Sequence, residues 1–151
     1  MAKPQQLPVL RLRRLFTATP QEVFAAWTDP VGMKEWMCPE GMSVTALELE
    51  PRIGGRFRLM MRGAQSEIEH IGEYREVEPP RKLVFTWRSP ATYGQETLVT
   101  VELIPHGAKT ELILTHEWLP DAVALENHTW GWQSIVAKLD GYLKPSDTYW
   151  I

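Results

Sequence analysis

The sequence predicts an α+β domain in which a curved seven-stranded antiparallel sheet wraps around one long C-terminal helix. Three observations predict it. The first is the run from Asp121 to about Lys144, where Leu125, Thr129 (by its methyl), Trp132, Ile135, Val136, Leu139, Tyr142 and Leu143 recur at steps of three and four, tracing one stripe along a helix. The second is the stretch from Val9 to Leu119, made mainly of short alternating runs punctuated by Gly and Pro turns, the pattern of antiparallel strands. The third is a match of lengths. A helix of that extent spans about 36 Å, and seven strands spaced about 4.8 Å apart make a sheet roughly 30 Å wide. Sheet twist lets such a surface curl around the helix, and an elongated hollow is expected where the two part.

Taken in order, residues 1–8 read as a loose tail and Val9 to Thr17 as a strand. Thr19-Pro20-Gln21-Glu22 is a helix start, with Thr as N-cap, Pro at the first helical position and an acid in the first turn. Val23, Phe24 and Trp27 are its buried side, and Asp29-Pro30 ends it. A second short helix is expected over Val31 to Met37, closed by the turn Pro39-Glu40-Gly41. Six strands follow as hairpins. Met42–Glu50 and Arg56–Arg62 are joined through Gly54-Gly55, with Phe57, Leu59 and Met61 on one face. Glu67–Val77 places Ile68, His70, Gly72 and Tyr74 on one face. Pro79-Pro80 turns the chain into Lys82–Arg88, which offers Leu83, Phe85 and Trp87. Thr97–Ile104 and Thr110–Trp118 pair across Pro105-His106-Gly107-Ala108, with Val99, Val101 and Leu103 facing Leu112, Leu114 and His116. Asp121 caps the closing helix, Pro145 stops it, and residues 145–151 form a second tail. No repeat or linker interrupts 9–144, so these residues are read as one domain.

Composition excludes several classes. The 151 residues carry a net charge of −3, which leaves no electrostatic footprint for nucleic acid or an anionic membrane. Arg11, Arg13 and Arg14 alternate with apolar residues as a solvated strand face would. No run approaches the roughly 18 apolar residues of a membrane span, and no signal-peptide core is visible. A single cysteine, Cys38, rules out an internal disulfide, and together these features favour the cytoplasm. Cys38 reads as an inert buried thiol, with no basic neighbour visible in the sequence. Seven Trp in so short a chain imply large interior surfaces, or a cavity, lined with indole.

Five short motifs in order carry a family resemblance. Thr19 to Trp27 is similar to a "P-x-x-V-F-x-A-W" opening, and Asp29-Pro30 with Lys34-Glu35-Trp36 to a "D-P-x-x-x-x-x-W" step. Gly54-Gly55-Arg56-Phe57 resembles a "G-G-x-F" turn. Gly72 to Val77 with Pro79 to Trp87 resembles a "G-x-Y-x-E-V-x-P-P-x-x-L-V-F-T-W" hairpin, and Gly131-Trp132 with Leu139 the "G-W-x-x-x-L-x-x-L" of a closing helix. On these residues the chain is identified as resembling the START-like (SRPBCC) superfamily, in the branch of the activator of heat-shock-protein-90 ATPase homologues. The resemblance implies a helix-grip fold, a curved seven-stranded sheet gripping the C-terminal helix around a hydrophobic cavity. It says less about activity, because members bind apolar ligands, cyclise polyketides or act as cochaperones.

The candidate site is a wall of inward-facing residues, Trp36, Phe57, Leu59, Met61, His70, Tyr74, Trp87, Leu114, His116 and Trp132. Mostly apolar walls with a few polar groups are how small-molecule sites are built. His70 and His116 read either as core histidines hydrogen-bonded at the sheet or as groups that orient a ligand, with acid–base catalysis the weakest reading. The aromatics either line a cavity or fill it. Met33 and Trp36 are placed at one mouth, and the mid-helix Gly131 suggests that something passes close there. No His/Cys/Asp/Glu spacing resembles a metal motif, and no cofactor or catalytic residue is assigned. The expected function is binding of a small apolar or aromatic molecule. A cochaperone-like protein partner or a cyclase- or hydrolase-type enzyme are the alternatives, and a homodimer is left open.

Overall fold

A computed structural model of the protein describes residues 7–144. Within them the alternating runs form β1 (Leu10–Phe16), β2 (Ser43–Leu49), β3 (Arg56–Arg62), β4 (Glu67–Glu78), β5 (Lys82–Trp87), β6 (Thr97–His106) and β7 (Lys109–Glu117). Three α-helices accompany them, α1 (Pro20–Thr28), α2 (Pro30–Met33) and α3 (Ala122–Leu143). The strands make one antiparallel sheet in the order β1-β7-β6-β5-β4-β3-β2. The first two strands therefore sit at opposite edges, and α1 and α2 carry the chain between them. This is the helix-grip architecture. Most of the tail expected over residues 1–8, and all of that over 145–151 with its Pro145 stop, lies outside the described residues.

Local chemistry sets the element ends. Thr19 Oγ1 accepts from the Glu22 N–H at 3.2 Å while Glu22 Oε1 accepts from the Thr19 N–H at 3.1 Å, a reciprocal cap on α1. The Asp29 carboxylate then accepts from Val31 N–H at 3.0 Å and opens α2. That helix ends at Met33 and does not reach Met37. Trp36, Met37 and Cys38 are all buried in succession, which one face of a helix cannot achieve, so the chain unwinds into turns to insert them. Between β2 and β3, Gly54 has φ +83°, and a Cβ on Gly55 would lie 2.0 Å from the Glu50 carbonyl oxygen. Neither position takes a side chain without strain.

The β6–β7 register is Val99↔His116, Val101↔Leu114 and Leu103↔Leu112, as the alternation predicts. In β4 a register shift between Tyr74 and Glu76 breaks the alternation, so that Val77 packs against the core while Glu76 is exposed. Between β5 and β6 the chain makes a 3-10 turn, Pro90–Thr92, that the sequence reading did not anticipate. It is anchored by Tyr93, whose hydroxyl donates to the Asp121 carboxylate at 2.9 Å. Asp121 in turn accepts from Ala124 N–H at 2.8 Å as the N-cap of α3.

The inner face of α3 is Ala124, His128, Trp132, Ile135, Val136 and Leu139. This corrects the expected stripe by a fraction of a turn. Leu125, Thr129 and Leu143 flank it half-buried, and Tyr142 is exposed. His128 is admitted inside because its Nδ1 bonds the Ala124 carbonyl at 2.7 Å. At the other end Arg14 of β1 holds Asp140 at 2.8 Å, fixing the helix to the sheet edge. An aromatic stack fills the grip, with Trp27 against Trp36 at 4.9 Å, Trp132 against Trp87 at 5.2 Å and Phe57 against Phe85 at 5.6 Å between ring centres. Among the described residues no helix is long and apolar enough to cross a membrane.

Candidate functional site

The aromatic packing does not close everywhere. Between the first half of α3, the ends of β3 to β5 and the loop before β2 lies a hollow of about 160 Å³. Strand alternation turns Met61 of β3, His70 of β4 and Trp87 of β5 toward it, while helical spacing supplies His128, Trp132 and Ile135 from α3. Pro39 and Met42 from the loop, Pro90 and Ala91 from the 3-10 turn, Ile68 of β4, and Asn127 and Gly131 of α3 complete the wall, and Trp130 flanks it while 57% exposed. No Lys, Arg, Asp or Glu lines the hollow.

The polar groups in and behind its wall are wired in a definite order. Thr97 has one hydroxyl proton, which it donates to the Trp87 carbonyl at 2.6 Å. The 2.7 Å contact between Thr97 Oγ1 and His116 Nε2 must then be donated by the imidazole. His116 Nδ1 is left as an acceptor, and Trp132 Nε1–H fills it at 3.0 Å. His116 is thus a neutral, fully bonded core group, and burial pushes its pKa well below the ordinary histidine value. His128 donates from Nδ1 to the Ala124 carbonyl, which makes Nε2 the free acceptor of a ring that lines the hollow. Burial holds its pKa down as well. In His70, Nδ1 is buried with no hydrogen-bond partner. Desolvation brings its pKa down to about 4, offset in part by the nearby Leu59 and Ile68 carbonyls. Trp87 Nε1 is likewise buried and unpartnered.

Four of the residues expected to form the site meet at the hollow, Met61, His70, Trp87 and Trp132. Phe57, Leu59 and Tyr74 line, again with Trp87, a separate void of about 20 Å³, room for roughly one water. Trp36, Leu114 and His116 are buried and border neither space. Met33 and Trp36 lie inside the core, away from the hollow's opening, and Met33 borders the small void. Sequence reasoning missed His128, Ile135, Met42 and Gly131 as wall residues. His128 stands four residues before Trp132, a spacing that marks the same helix face, but its polarity kept it off the apolar stripe. Gly131 shows no close approach by the chain, since a Cβ there would meet only Pro39 Cγ at 3.8 Å. Cys38 does have a basic neighbour, for Lys138 Nζ lies 3.2 Å from its sulfur.

No group of three or more His, Cys, Asp or Glu among the described residues is placed to hold a metal ion. A larger concavity, about 570 Å³, lies elsewhere, lined by charged residues of β2 to β5 such as Glu48, Arg58, Glu73 and Arg88. Its charges are partly engaged with each other or with neighbours, as in Arg58 with Glu69 and Arg88 with Glu96.

Comparison with known proteins adds the following. The family model for "Activator of Hsp90 ATPase homolog 1-like protein" matches residues 17–144. A crystal structure of a Chromobacterium violaceum protein is similar at 28% identity over 91% of this chain and 98% of that one, with TM-score 0.85. One from Rhodobacter sphaeroides shares 30% identity over 93% and 95%, with TM-score 0.81. A Silicibacter pomeroyi protein whose name places it in the same family shares 30% identity over 90% and 97%, with TM-score 0.78. No curated protein matches.

Proposed function

The chain belongs to the family of activator of Hsp90 ATPase homolog 1-like proteins, a fold suited to ligand binding or to cochaperone-like contacts, and from that premise we propose that it binds a small, uncharged, largely apolar molecule in the hollow beside α3. The hollow itself carries this reading: about 160 Å³ of space walled mainly by apolar and aromatic side chains, with His70, His128 and Asn127 as its polar members and no charged group. An apolar cavity of about 150 Å³ is enough to take up benzene. Gly131 supports it. A glycine within a helix costs about 1 kcal/mol relative to alanine, and the nearest atom to a Cβ here would be an ordinary 3.8 Å away. The chain keeps the glycine without a packing need, and its missing side chain is part of the open space. The lone Cys38 fits a cytoplasmic setting for this role.

The test is a toluene titration followed by tryptophan emission, in the native protein and in Gly131→Ala. The native protein should saturate at about one site per chain. The variant should gain about 1 kcal/mol of stability and bind toluene several-fold more weakly. Absence of saturable binding, or an affinity indifferent to the added methyl, would count against the proposal. In that event the protein-docking role takes its place, with exposed Val123 and Trp130, seven residues apart on one face of α3, as the surface to probe.

A further inference from the structure

Resting on that reading, we infer that the ligand is an uncharged aromatic molecule bearing a hydroxyl, and that His128 is the residue that selects it. A purely apolar guest would leave the His128 acceptor in the wall idle. His128 Nε2 is an acceptor, because the ring's only proton is spent on the Ala124 carbonyl at 2.7 Å. Trp87 Nε1 and His70 Nδ1 are also unpartnered, but both are buried behind the wall rather than open to the hollow. Buried polar groups left without partners are costly. A hydroxyl is the simplest uncharged group that gives a proton to the His128 acceptor. Carboxylates and ammonium groups are disfavoured, since no countercharge lines the hollow.

The aromatic part follows from the walls. The rings of His70, Trp87, His128, Trp130 and Trp132 all border the hollow, so a flat guest there meets aromatic rings on several sides. His116 cannot share the polar role, because Thr97 and Trp132 occupy both of its nitrogens. It is a positioning residue that fixes the Trp132 indole. The sequence reading gave His70 and His116 equal standing, whereas the wiring moves the selective contact to His128.

Phenol and toluene differ little in shape, and together they test this. Where no wall group accepts its proton, a buried hydroxyl leaves phenol well behind toluene. The native protein should therefore bind phenol at least as tightly as toluene. In His128→Leu, phenol affinity should fall about tenfold, the worth of one well-made hydrogen bond, while toluene affinity changes less than about twofold. Thermal unfolding of the variant checks that it remains folded, and the native comparison stands without it. Toluene binding with phenol weaker overturns the hydroxyl inference and leaves the hollow reading intact. Failure of both probes overturns both.

Discussion

Trp132→Ala tests the docking of α3 on the sheet most severely. The indole is 2% exposed and sits between Trp87 at 5.2 Å, Trp27 at 6.3 Å and His116 at 6.2 Å. An aromatic side chain of this kind buries about 200 Å², worth roughly 5 kcal/mol at about 25 cal/mol per Å². Alanine recovers a small part of that, and truncations of buried Trp fall in the range of about 3–5 kcal/mol. The same change removes the donor to His116 Nδ1, and an unpaired buried acceptor adds about 1 kcal/mol or more. The hollow beside the site lets water reach the orphaned nitrogen and limits that second cost. The expected loss is therefore about 4–5 kcal/mol, read as a lower urea midpoint at an unchanged slope. Trp130→Ala, two residues away and 57% exposed, should cost less than about 0.5 kcal/mol. A loss below about 2 kcal/mol at Trp132, or equal losses at both positions, would refute the docking of α3 described above.

Two further predictions concern pH and the β2–β3 turn. His70, His116 and His128 all have folded pKa values lowered chiefly by burial, so the unfolded chain binds more protons than the folded one as pH falls below about 6.5. Stability should be full above that pH and fall as pH drops toward about 4, the folded value of His70. Urea midpoints measured from pH 7.5 to 4.5 check this, and a flat profile down to pH 5 would contradict it. Gly55→Ala should destabilise by more than about 2 kcal/mol, because its Cβ would meet the Glu50 carbonyl at 2.0 Å. Gly54→Ala should cost about 1 kcal/mol through its φ of +83°. A silent Gly55→Ala by chemical denaturation would show that the turn is built differently.

The fold was legible because its determinants are local and repeated. Alternation in Arg56–Arg62, the cap at Thr19 and the apolar run around Trp132 each pointed to one element, and the elements agreed in length. What escaped reading was set by non-local or non-periodic causes. The 3-10 turn at Pro90–Thr92 is too short to show a period, although Ser89 and Thr92 cap it reciprocally. The shift at Tyr74/Glu76 is an irregularity of pairing that no alternation announces. Within the candidate site, aromatic and apolar wall residues could be placed on the inner face from strand period alone. Whether each borders open space or solid packing depends on how several side chains meet, which separates Met61 and Trp87 from Leu114 and Trp36. The histidines illustrate the limit best. His116 and His128 differ in role only through their bonds to Thr97, Trp132 and Ala124, and those bonds exist only in the assembled fold.

Whether the hollow beside α3 receives a small molecule can be read directly by methionine methyl NMR. With the methionine methyls carbon-13 labelled and toluene added, cross-relaxation from the ring protons should reach Met42 and Met61, which line the hollow. It should not reach Met33 or Met37, which border the smaller void. Contacts confined to Met42 and Met61 are the predicted result. Contacts to Met33 and Met37 instead, or none at saturating toluene, would contradict the account.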